Sequence, residues 1–244
     1  MGIKRCALFL YGKDFYLMFP FLCSGGASTV AFDAVASATG FGGANPASPI
    51  TWSHTCTGSN RYLEVDIFVG TPTAPDSDIA VTGVTYNSVS MTLVASSLVH
   101  SNGINRGYVV RYGLVNPASG SNTVSVSYTN TSVQATDAVG CNSRSYTGVN
   151  QTTPYSNLAS ATGSGTSATV NVTSAAGSMV SAAFDGGSSF SSTNQTQRWR
   201  YNVNPNSAGG NGAGNTAAGA TSVTMSASLG SDDWAVVAYS INPA

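Results

Sequence analysis

An all-β fold, a two-layer antiparallel sandwich of jelly-roll type, is what this sequence predicts, on three observations. Apolar residues recur at every second position in short segments. No segment holds a 3.6-residue apolar stripe long enough for a helix, and Gly, Asn and Pro interrupt the segments at short intervals. A chain of 244 residues with 42% hydrophobic content buries a sizeable core, and sandwiches of this size form one domain. One domain over residues 28–244 is therefore expected.

Residues 1–27 stand apart. They hold both lysines of the chain, Lys4 and Lys13, together with Arg5. An apolar stretch follows through Phe15, Tyr16, Leu17, Met18, Phe19, Phe21 and Leu22, and it ends at Ser24-Gly25-Gly26-Ala27. Two readings fit this pattern: a secretion signal, or an irregular arm that docks on a neighbouring subunit. The stretch is too short to span a bilayer.

The strands follow in order. In Thr51 to Thr57, Trp52, His54 and Cys56 alternate with hydroxyl residues. In Tyr62 to Val69 the aliphatic residues Leu63, Val65, Ile67 and Val69 share one face, and Glu64 and Asp66 take the other, which is expected to meet solvent. Similar alternation marks Ile79 to Tyr86, Thr123 to Tyr128 and Ala168 to Val172, and the last strand, Trp234 to Ile241, carries a continuous apolar run suited to the middle of a sheet. Turn signals fall at Gly42-Gly43, Thr71 to Asp78, Asn116-Pro117, Gly163 to Thr166 and Gly186-Gly187. The segment from Asn204 to Ala220 is nearly all Gly, Ala, Asn and Ser and is expected to be a mobile surface loop.

Composition excludes several chemistries. Only 8% of residues are charged, against roughly 25% in an ordinary domain. With seven scattered arginines, no lysine after Lys13 and ten acids, there is no basic patch for nucleic acid. Lysine Schiff-base chemistry is absent from the domain, and the Gly-rich stretch Gly209 to Gly219 lacks the helix and lysine of a phosphate loop. No Gly-x-Ser-x-Gly occurs. Four cysteines without Cys-x-x-Cys spacing and two histidines give no zinc pattern, although Cys56 and Cys141 could pair in an oxidising compartment. No cofactor is expected.

The remaining candidates are few. Glu64 and Asp66 have the i, i+2 spacing of a glycosidase carboxylate pair, but Glu64 is the only glutamate and the plain reading is a solvated strand face. His54, beside Trp52, reads as a hydrogen-bonded core imidazole before a general base. Asp76-Ser77-Asp78 and Asp232-Asp233 each supply a fragment of a calcium site. The segment around Gln197, Arg198, Trp199 and Tyr201 combines aromatic rings with amides and guanidinium groups, the materials of a sugar-binding surface or a protein interface. Trp199 also fits the core. Low charge with hydroxyl-rich strand faces opposes little repulsion to lateral association between copies.

The order of Thr51-Trp52-Ser53-His54, Gly83-Val84-Thr85-Tyr86-Asn87, Gly148-Val149-Asn150-Gln151-Thr152-Thr153-Pro154, Gln197-Arg198-Trp199 and Trp234-Ala235-Val236-Val237-Ala238 resembles a family of Gly/Ser/Thr-rich β-sandwich modules of tailed-phage virion proteins and bacterial surface proteins. The resemblance spans about residues 28–244 and carries no catalytic or binding residue with it. It implies a non-enzymatic virion structural protein, a head decoration or cement protein whose partners are capsid or other virion subunits and its own copies. The alternatives are a tail-associated module that recognises host surface glycan and a secreted bacterial surface or adhesin protein, extracellular or at the cell surface.

Overall fold

The computed structural model describes residues 28–38, 47–71, 76–101, 107–131, 137–202 and 210–244. The proposed arm, Phe15 to Leu22 included, lies outside the described residues. Among the described residues there are sixteen strands: β1 (Ala31–Ser37), β2 (Ile50–Cys56), β3 (Tyr62–Gly70), β4 (Ile79–Tyr86), β5 (Val89–Ser90), β6 (Thr92–Leu93), β7 (Val99–His100), β8 (Gly107–Val115), β9 (Gly120–Asn130), β10 (Ala138–Thr147), β11 (Tyr155–Val172), β12 (Met179–Gly186), β13 (Phe190–Thr193), β14 (Thr196–Asn202), β15 (Asn211–Ala218) and β16 (Val223–Ile241). The one described helix is a single 3-10 turn at Asp76–Asp78. The all-β sandwich expected from the alternation is what the chain forms.

The layering differs from the expected pair of sheets, because three antiparallel sheets pack together. A central sheet runs β1-β10-β3-β8-β6, with β7 also on β8. An outer sheet, β2-β9-β4-β5, covers one of its faces. Leu63, Val65, Ile67 and Val69 of β3 meet Ile50, Trp52, Val84, Tyr86, Val124 and Val126 there, so the predicted aliphatic stripe builds this core. Asn87 and Ser88, with φ of 50° and 62°, close the tight β4–β5 hairpin in the primed geometry that suits strand twist.

The third sheet, β11-β16-β12-β15-β14 with β13 on β16, covers the other face of the central sheet. Every residue of β3 is consequently buried. Its long strands β11 and β16 pair along their whole length and shift register between Gly165 and Ser167. Gly163 to Thr166, read from sequence as a turn, is thus a point within one strand. The two ends of the sheet enclose a core of their own, with Val170, Val172 and Met225 facing Val180, Phe184 and Val236.

The predicted loop from Asn204 to Ala220 is also corrected. Its second part is β15, buried from Asn211 to Thr216 between β12 and β14. Large rings supply the apolar bulk that its own side chains lack. A Cβ at Gly212 would stand 2.7 Å from the Phe68 ring, and one at Gly214 would stand 2.0 Å from the Trp199 indole. Phe68 also lies flat on its cross-strand partner Gly140, where a Cβ would fall 1.9 Å away. Glycine here makes room for an aromatic face, not for a flexible link.

Candidate functional site

Two acids and two arginines meet between the central and third sheets, all with fully buried side chains. Glu64 and Asp66 come from the face of β3 opposite its aliphatic stripe, Arg111 from β8 and Arg144 from β10. The register sets Glu64 beside both Arg144 and Gly113, and Asp66 beside Arg111. Each guanidinium bridges both carboxylates: Arg111 reaches Glu64 Oε2 at 2.7 Å and Asp66 Oδ1 at 2.8 Å. Arg144 reaches Glu64 Oε1 at 2.8 Å and Asp66 Oδ2 at 2.6 Å. The Arg144 Nε approach is an ion pair in which the N–H does not point at the oxygen, whereas its Nη2 donates squarely to Asp66.

The third sheet completes the cluster. Arg111 donates to the Ser181 carbonyl at 2.9 Å and to its hydroxyl at 2.6 Å, and Arg144 donates to the carbonyls of Asn215 and Ala182 at 3.1 Å each. Tyr146 and Tyr239 donate to Glu64 at 2.6 and 2.7 Å, and the Trp199 indole N–H donates to Asp66 at 3.2 Å. Arg111 also lies 4.2 Å from the centroid of the Tyr239 ring. Burial alone would raise the Glu64 carboxyl, but Arg111, Arg144 and the two tyrosine hydroxyls outweigh it and hold the group below its ordinary value. The four charges cancel, and no carboxylate oxygen is open to a substrate.

Glu64 and Asp66 are therefore not on a solvated face. His54 does not join them, because it projects from β2 onto the opposite face of the central sheet, where it is 1% exposed. Its Nδ1 lies 2.8 Å from Ser143 Oγ and its Nε2 lies 2.9 Å from Ser145 Oγ. Ser145 donates to Asp33 at 2.8 Å and the Trp52 indole donates to Ser143 at 2.9 Å. One tautomer satisfies all of this: Nε2–H donates to Ser145, and Nδ1 accepts from Ser143. Burial holds the imidazole down at about 4, against a weaker upward pull from Asp33, so it is neutral at pH 7. It is a locked core residue.

The Gln197–Tyr201 segment is not gathered on one surface. An extra residue at Arg198 breaks the β14–β15 alternation between Gln197 and Trp199. Gln197 is exposed, whereas Trp199 is buried and stacks on Phe68 at 5.4 Å between centroids. Tyr201 also turns toward Phe68, at 6.4 Å. Arg198 is half-buried: its Nε donates to Thr216 at 2.7 Å and its guanidinium lies 3.7 Å from the Phe32 ring centroid. It lines a shallow groove of about 340 Å³ with Thr29, Gly177, Ser178, Thr196 and Thr216.

His100 pairs with Asp76 at 2.7 Å, an acid twenty-four positions away that sequence proximity does not reveal. Asp185 is buried near them, and burial together with Asp76 raises its carboxyl well above the ordinary range. Among the described residues no group of three or more His, Cys, Asp or Glu side chains is placed to hold a metal ion. Cys56 and Cys141 are buried free thiols, not a disulfide. Sequence reasoning missed Arg111 and Arg144. The available signal was Tyr62 and Phe68, large apolar residues on the same strand face as the two acids. The chain matches no protein-family model, no curated protein and no solved structure in the three comparisons made.

Proposed function

We propose that this protein is a non-enzymatic structural protein of a phage virion, a head decoration or cement protein that stabilises a capsid lattice. The observation that carries this reading is the neutral, fully buried Glu64–Asp66–Arg111–Arg144 cluster. The groups best equipped for acid–base chemistry hold two sheets together and have no route to a small molecule. What the described strands present outside is largely Ser, Thr, Asn and Gly, a surface suited to close neutral packing. The resemblance of residues 28–244 to virion modules agrees with this. Many weak contacts of this kind, repeated over a lattice, sum to high avidity.

The glycan-binding alternative loses its ring, since Trp199 is inside. The test is co-sedimentation of the full chain with shells assembled from the shell-forming subunit encoded in the same genome. Saturable binding, with shells that withstand higher temperature when decorated, is the expected result. Failure to bind shells, together with a specific hit on a glycan array, overturns the reading.

A further inference from the structure

We infer that the groove beside Arg198 is a docking site for an acidic peptide segment, an Asp or Glu side chain presented by the shell-forming subunit. This names the chemistry of the contact proposed above and rests on that reading. The bulge at Arg198 turns its side chain toward β1, where the guanidinium lies over Phe32 at 3.7 Å and its Nε donates to Thr216 at 2.7 Å. Two contacts thus fix the position of the group. Its Nη1 and Nη2 donate to no described residue.

The other described arginines are satisfied or wet. Arg111 and Arg144 face Glu64 and Asp66, and Arg61 spends its donors on the carbonyls of Gly58 and Pro117 and on the Asn116 amide oxygen. Arg200 is exposed. Arg198 is half-buried, and no carboxylate acts on it: burial pushes its guanidinium down, Arg144 adds to that, and the Tyr146 hydroxyl alone opposes it. An incoming carboxylate offsets this desolvation, because the planar Nη1–Nη2 fork matches two oxygens at once.

The groove suits a side chain better than a sugar. It lies where β12, β14 and β15 meet the residues leading into β1, and its volume of about 340 Å³ is at the small end of ligand sites. Thr29, Ser178, Thr196 and Thr216 line it with hydroxyls, and Met179 and Ala217 give an apolar wall for the methylenes of an acidic side chain. No lining residue is aromatic, so a sugar ring has no face to stack on. A second copy is a poor source of the charge. The described acids of this chain are buried or accept from their own fold, as Asp33 does from Ser145 and Asp232 from Ser188.

The test is co-sedimentation of the full chain with shells, comparing the parent with Arg198→Gln, Thr196→Glu and Arg200→Gln. Thr196 is exposed on the groove, so Thr196→Glu supplies a carboxylate from within and leaves the arginine in place. Both groove variants should bind shells at least tenfold more weakly. Arg200→Gln removes the same charge from an exposed position of the same strand and should match the parent. Shell binding that Arg198→Gln leaves unchanged overturns the docking site and leaves the virion role standing. If the parent binds no shells, the virion role falls, and titration of the isotope-labelled full chain with acetyl-Ser-Glu-Ser-amide decides the groove alone. A saturable shift of the Arg198 Nε–H resonance, absent with the Gln analogue, keeps the acidic-peptide site, and an unmoved resonance overturns it too. D-glucuronate shifting that resonance at tenfold lower concentration than the peptide overturns the peptide assignment in favour of an acidic sugar.

Discussion

Replacing Arg144 with methionine removes one corner of the buried square and leaves most of the packing in place. The change deletes a guanidinium 2.8 Å from Glu64 and 2.6 Å from Asp66. It also strips donors from the carbonyls of Asn215 and Ala182. Two carboxylates then face Arg111 alone, a net buried charge of one, and breaking a buried pair in this way costs about 3–5 kcal/mol. At about 2–4 °C per kcal/mol for a chain of this size, the melting temperature should fall by about 6–20 °C. Urea denaturation followed by the emission of Trp52, Trp199 and Trp234, all buried, measures the loss directly. Adding Glu64→Gln to Arg144→Met restores neutrality, so the double variant should lose about 1–3 kcal/mol less than the sum of the singles. A loss below about 1 kcal/mol for Arg144→Met, or strict additivity in the cycle, would refute the reasoning, because the charges would then be solvated.

Acid titration should expose His54 before Glu64. The folded imidazole is held at about 4 against 6.5 when free, so stability is complete above pH 6.5 and falls by about 3 kcal/mol as pH drops toward 4. Urea midpoints between pH 7.5 and 4.5 should show this slope, and His54→Gln should flatten it. Glu64, whose folded carboxyl lies below its ordinary value, adds its own loss only below about pH 4.5, where the unfolded chain takes up a proton that the folded carboxylate still refuses. Gly214→Ala places a methyl 2.0 Å from the Trp199 indole and should cost at least about 1–3 kcal/mol in the same assay, with a shift in Trp emission. Replacing all four cluster residues with Leu or Met leaves no excess buried charge but orphans the Tyr146, Tyr239 and Trp199 donors, so it should cost clearly less than the sum of the four single losses without reaching the parent stability, and broadened amide resonances at the sheet interface would mark a loss of unique packing. Cys56 and Cys141, raised by burial, should resist a thiol reagent in a Cys6→Ser/Cys23→Ser background until urea unfolds the chain.

The sandwich class was legible because alternation survives wherever one face is a core, as in Leu63 to Val69. The third layer was not, for a physical reason. Period-two alternation of apolar with charged residues marks a sheet with one wet face, and it reads the same when the second face is dry but ionically satisfied. Glu64 and Asp66 could be told from solvated acids only by partners on β8 and β10, far off in sequence. β15 was hidden for a related reason. Gly212 and Gly214 present no side chains, and the rings that bury them belong to Phe68 and Trp199 on other strands. Trp199 itself was legible as core, but its tie to Asp66 was not, because the spacing of a strand does not report what lies above it.

The placement of charge also explains how a chain so poor in ions avoids mispairing its own sheets. Hydroxyl-lined and glycine-rich strands specify register weakly, since a one-residue slip exchanges residues of similar size and polarity. A slip of the third sheet along the central one would carry Ser181, Ala182 and Asn215 away from Arg111 and Arg144 and leave buried donors unpaired. Each such donor costs about 1–3 kcal/mol or more, because the groups involved are charged. Tyr239 and Trp199 would lose Glu64 and Asp66 in the same movement. Hydrophobic contacts between flat β faces impose no comparable penalty at small offsets. The ion cluster therefore supplies inside the molecule the positional discrimination that its neutral strands lack, and those strands stay free for permissive contacts outside.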